Sequence, residues 1–131
     1  MTNHFYKVRD YLLELGYSIK RQDEQSGVFV ITDEPTGITN LVIGCNDPLL
    51  IMEQYLLDVN DAHPDMYKQL LMKNRDIIHG AFVLDDTGSK VIFRDTLQIE
   101  NLDLNELEGS MNSLSLLLAE YSDELIQFSK N

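Results

Sequence analysis

Five side chains that could ligate a cation, Asp58, Asn60, Asp61, His63 and Asp65, crowd into one short run, so a metal is the first chemistry to test. A calcium loop starting at Asp58 fails the test. Ala62 stands where an oxygen ligand belongs, His63 where the tight turn needs glycine, and Gln69 where the closing glutamate belongs. The run that opens at Asp85 fails alike, with Lys90 at the glycine position. Zinc has the candidates His4, His63, His79 and Cys45, and no two of them share a spacing such as Cys-x-x-Cys or His-x-x-x-His. The expectation is no metal, and a solvated turn that caps a following helix.

Nucleophilic chemistry has as little to start from. Cys45 would need a base beside it, and no Gly-x-Ser-x-Gly elbow or Gly-rich phosphate loop occurs. With 22 acids in 131 residues, some carboxylates lie close together in any fold, so no particular pair is singled out for acid–base work. The reading is therefore a non-enzyme, with no catalytic residue and no cofactor. A lone cysteine makes no internal disulfide, which fits a reducing cytoplasm. Lys7, Arg9, Asp10 and Glu14 interrupt any signal-peptide core, and no apolar run approaches the roughly 20 residues of a membrane span.

Charge narrows the partners. Acids outnumber Lys and Arg 22 to 10, a formal charge of −12. Affinity for a duplex comes largely from Lys and Arg neutralising phosphates, so neither nucleic acid nor an anionic membrane is expected as a partner. A basic protein segment would be drawn to such a surface.

The elements that must carry any site can be read in order. Phe5, Val8, Leu12 and Leu15 repeat at helical spacing over residues 2–16, with Thr2 or Asn3 as cap and Gly16 as stop. Strands follow at Tyr17 to Asp23, Val28 to Thr32 and Ile38 to Gly44, separated by turn-forming residues. Leu49 to Leu57 fits a strand or a helix turn; the preceding Asn46-Asp47-Pro48 break and the hairpin rhythm favour a strand. Pro64 opens a second helix to about Arg75, and His79 to Leu84 and Lys90 to Asp95 make a hairpin around Gly88. Leu97 to Leu102 then connects to the last helix.

That helix, Asp103 to Phe128, is the strongest signal in the chain. Leu104, Leu107, Met111, Leu114, Leu118, Tyr121, Leu125 and Phe128 form one stripe, and Asp103 with Glu106 spells a capping box. Ser110, Ser115, Ser122 and Ser129 flank the stripe where a coiled coil would carry charges, so it is expected on the domain's own sheet. Leu116 and Ile126 lie outside it and are candidates for a second contact. The fold class is α+β: one domain over 1–131, with an antiparallel sheet of five or six strands. The order is helix, strands, helix, two strands, helix, and the terminal helices pack on the sheet.

The run LLMKNRDIIHGAFVLDDTGSKVIFRDTL, followed by NELEGSMNSLSLLLAEYSDELIQF, resembles the type III secretion chaperone-like superfamily. Within it, the resemblance is to stand-alone YbjN-like and Tir-chaperone-like proteins. Asn74, Phe82, Leu84, Asp85 and Gly88 look like its recurring positions. The possible extra strand at Leu49 to Leu57 departs from the pattern. The resemblance implies a small acidic cytoplasmic homodimer that binds a segment of another protein, by edge-strand pairing and apolar pockets. It also implies a dimer contact on the middle helix, at Met66, Tyr67, Leu70, Leu71 and Met72, which joins Leu116 and Ile126 as the candidate partner surface. The alternative is a small-molecule-binding or regulatory domain with a pocket on the sheet face.

Overall fold

The stretch that fits either a strand or a helix turn forms the strand Leu49–Asp58, in the interior of the sheet. Its side chains alternate, with Leu50, Met52 and Gln54 buried and Leu49 and Tyr55 exposed. That two-residue period suits a strand with one face on a core. The computed structural model describes residues 4–131, so a cap at Thr2 or Asn3 lies outside the described residues.

In chain order the elements are α1 (His4–Glu14), β1 (Ile19–Asp23), β2 (Val28–Asp33), β3 (Ile38–Asn46), β4 (Leu49–Asp58), α2 (Met66–Asn74), β5 (Ala81–Leu84), β6 (Lys90–Gln98) and α3 (Leu104–Ser129). The six strands form one antiparallel sheet in the order β1-β2-β3-β4-β6-β5, and the fold is α+β as expected. Strand β6 outruns its sequence reading, which ends at Asp95. Its ladder with β4 reaches Leu49 opposite Gln98, and those hydrogen bonds draw Thr96, Leu97 and Gln98 into the strand. Strand β5 begins later than His79, because Gly80 turns there with φ +87. A Cβ at Gly80 would stand 2.9 Å from the Arg94 carbonyl and strike the Phe93 ring, so only glycine fits.

Register places Phe29, Ile43, Met52 and Asp95 side by side on the inner face, and Leu41 beside Ile31. Helix α1 buries Phe5, Val8 and Leu12 there, with the Phe5 ring stacked on Phe29 at 4.4 Å. Helix α3 starts on the expected box: Asp103 accepts from the Glu106 amide at 2.7 Å, and Glu106 accepts from the Asp103 amide at 3.1 Å. Leu107, Met111, Leu114 and Leu125 of its stripe are buried, and Leu118, Tyr121 and Phe128 pack partly buried against the core. Leu117, outside the stripe, is buried as well. A 3.5-residue repeat drifts about 20° per heptad on a straight helix, so a long seam wanders onto its neighbours.

The outer sheet face carries Val42, Ile51, Glu53, Tyr55, Ile92 and Arg94, all partly or fully exposed. No helix among the described residues is long and apolar enough to cross a membrane.

Candidate protein-binding surfaces

The polar run at 58–65 serves the fold. Asp58 accepts hydrogen bonds from Lys90 and from the Tyr55 hydroxyl, both at 3.0 Å, and these hold its carboxyl below the usual range. The Asn60 amide donates to the Lys130 carbonyl at 2.9 Å, the His63 ring meets the same carbonyl at 2.5 Å, and that ring sits edge-on to Phe128. The loop is a latch on the free end of α3, where the last carbonyls lack intrahelical partners. Asp85 accepts from the backbone amides of Ser89 and Lys90 and shapes its hairpin. Among the described residues, no three ligand-type side chains gather as a metal site. Burial, followed by the nearby charge of Asp47, pushes the Cys45 thiol up to about 11, far from the thiolate a nucleophile needs.

The candidate partner residues divide. Met66 and Leu70 are 1% and 5% exposed and belong to the domain's own core, which takes them out of any surface contact. Tyr67, Leu71 and Met72 point outward, with Leu71 and Met72 68% and 59% exposed. Helical spacing explains the split, since residues 66 and 70 share one side and residues 67 and 71 another.

Leu116 and Ile126 are both exposed, and they lie on opposite flanks of α3. On one flank is a groove of about 680 Å³ against the turn Glu34–Thr36 and strands β3 and β4. Ser115, Ala119, Ser122, Ile126 and Ser129 supply its helical wall, and Gln54 lies at its base. Gln54 is buried with its amide paired, accepting from the Thr39 backbone at 3.1 Å and donating to the Gly37 carbonyl at 3.4 Å. On the other flank, the loop at 76–79 and α3 enclose a groove of about 440 Å³ that holds Leu116 and Leu117.

Sequence reasoning passed over Ile78, which is 88% exposed in this second groove. A signal was present: Ile77 and Ile78 make an apolar pair between Asn74-Arg75-Asp76 and His79-Gly80, where a connecting loop is ordinarily polar.

The two sheet edges also differ. The Asn74 side chain donates to the Phe82 carbonyl at 3.1 Å and accepts from the Phe82 amide at 2.8 Å, taking the place of a neighbouring strand along β5. Among the described residues strand β1 pairs only with β2, and Lys20 to Asp23 are exposed along it. A bare edge of this kind can accept an added strand.

The outer sheet face holds a shallow hollow of about 330 Å³ beside Val42 and Ile51. Its two charged groups, Glu53 and Arg94, pair with each other at 2.5 Å.

The CesT_Tir_1 family model matches residues 1–131, the whole chain. The protein belongs to the CesT_Tir_1 family. No curated protein gives a significant match in sequence. Solved structures share the fold of this CesT_Tir_1 chain at low identity. YbjN from E. coli superposes with a TM-score of 0.68 at 15% identity, covering 91% of each chain. A chain of the HopA1–SchA chaperone–effector complex gives 0.67 at 17%, covering 92% of this chain and 95% of its own. A chain of the Yersinia pestis type III secretion chaperone SycH, in complex with a stable fragment of YscM2, gives 0.57 at 16%, covering 96% and 99%.

Proposed function

We propose that this CesT_Tir_1 protein is a non-enzymatic, chaperone-like adaptor of the cytoplasm that forms a homodimer and binds a segment of a partner protein. The observation that carries the reading is the outward side of α2. A nine-residue helix commits Met66 and Leu70 to the core and still presents Tyr67, Leu71 and Met72 to water. Covering a large apolar side chain is worth roughly 1.5–3 kcal/mol, so a cluster of three on a rigid helix favours a second protein surface. Similarity to chains from chaperone–effector complexes supports a protein as the partner. The small-molecule alternative lacks such support, because Glu53 and Arg94 in the outer hollow already satisfy each other.

In this reading α2 pairs with its copy, while α3 and the β1 edge are left for the partner. Light scattering across micromolar concentrations is expected to give twice the 15.0 kDa chain mass. Tyr67→Asp combined with Leu71→Asp is expected to give the single-chain mass with an unchanged circular dichroism spectrum, since both residues are exposed. A wild-type protein that stays monomeric throughout removes the dimer, and a dimer indifferent to the double substitution removes α2 as its interface.

A further inference from the structure

The two most exposed large apolar side chains among the described residues, Ile78 at 88% and Leu116 at 70%, line the same groove. They come from different elements, the 76–79 loop and the outward side of α3, and the Tyr121 ring lies in the groove with them. Asp76 and Glu120 also line it, and no Lys or Arg does. Lys73 of α2, which reaches the Tyr121 ring, is committed: its ammonium contacts Glu124 at 2.6 Å and sits 5.0 Å over that ring. The groove therefore combines an apolar interior with two carboxylates and, among its lining residues, no Lys or Arg.

We infer that this groove is the docking site for a basic amphipathic segment of a partner protein, whose apolar side chains cover Ile78 and Leu116 while flanking Lys or Arg meet Asp76 and Glu120. The charge pattern selects this occupant. A second copy of a chain carrying −12 would bring a strongly acidic surface to an acidic rim, and opposite charge is what steers and registers a partner. The inference rests on the partner-binding reading and adds where the segment sits and what chemistry it carries. The loop wall is held in place by Gly80, whose backbone packs against Phe93 and Arg94 with no room for a side chain.

A labelled synthetic helix with leucine on one face and lysine on the other is the probe, with a leucine–glutamate counterpart as control. Fluorescence anisotropy against the full chain at about 0.15 M salt is expected to show binding of the lysine peptide alone. Ile78→Ser with Leu116→Ser is expected to weaken it by at least about tenfold, and Asp76→Asn with Glu120→Gln to weaken it and flatten its salt dependence. Ile126→Ser, on the opposite flank of α3, is expected to leave it unchanged. All the substituted side chains are exposed or on the groove wall, and unchanged melting curves would show that the fold survives.

Absence of binding overturns the inference, and so does binding that ignores the Ile78→Ser/Leu116→Ser pair, which would be diffuse attraction to an acidic protein. A drop in the protein's own oligomeric mass on that pair would assign the groove to a second copy and overturn it as well. A native partner that binds the chain and is not displaced by the lysine peptide would leave the adaptor reading standing and move the site elsewhere.

Discussion

The two flanks of α3 meet the same helix and offer different things. One groove is larger, walled on its helical side largely by serine and alanine, with a buried glutamine bonded to Thr39 and Gly37 at its base. The other is smaller and collects the most exposed apolar side chains beneath an acidic rim. The first holds at its base a glutamine hydrogen-bonded to its own chain, whereas the second sets the two most exposed large apolar side chains among the described residues beside two carboxylates. Exposed apolar surface is the better mark of a partner, because folding alone gives no reason to keep it. Cavity size points the other way, and the physical chemistry of the lining decides.

The largest expected contrast concerns one glycine beside each groove. Gly80→Ala forces a left-handed residue and a collision with Phe93, and is expected to cost about 3 kcal/mol in urea denaturation. It should also displace the 76–79 wall and abolish lysine-peptide binding. At Gly37 the φ of +80 is similar, but an added Cβ finds Leu118 at 3.6 Å, an ordinary contact. Gly37→Ala is therefore expected to cost only about 1 kcal/mol and to spare the acidic groove. Equal costs at the two glycines would contradict the account of the Gly80 collision.

Next in size is Gln54→Leu, which leaves the Thr39 amide without its acceptor under the serine groove and is expected to cost about 1–3 kcal/mol. Lys73→Met tests the other flank. Loss of the Glu124 pair and the Tyr121 ring contact is expected to cost about 0.5–1 kcal/mol at low salt, and less as salt rises. The smallest effect is a titration. Desolvation, followed by Glu120 and Asp76, raises the Tyr121 phenol above its ordinary value, with Lys73 opposing them. Because the acids disfavour the phenolate, Asp76→Asn with Glu120→Gln should lower the midpoint seen by NMR on the Tyr121 ring. A midpoint that stays put would mean the rim charge does not reach the groove.

Much of this geometry was legible in the sequence where it is local. The capping box at Asp103 and Glu106, the α3 stripe and the hairpin around Gly88 depend on neighbours within a few residues, and the fold contains each of them. The full length of β6 was hidden because its partner β4 lies far away in the chain. The latch formed by Asn60 and His63 on Lys130 was hidden for the same reason, and its polar run looked at first like a ligand cluster. Asn74 stood out in sequence, but its part in blocking the β5 edge required the fold. Residues 116 and 126 are ten apart on a 3.6-residue helix, which sets them about 80° from each other. The fold gives Leu116 and Ile126 each its own groove, one on either flank of α3.

The most direct test of partner binding is gentle affinity capture from the native host, followed by mass spectrometry and light scattering of the eluate. Wild type and the Ile78→Ser/Leu116→Ser variant should be run side by side. The account expects one protein in fixed stoichiometry with a dimer of wild type, depleted from the variant, and carrying an apolar segment flanked by Lys or Arg. A clean, partner-free wild type, together with a thermal shift produced by a small metabolite, would contradict it.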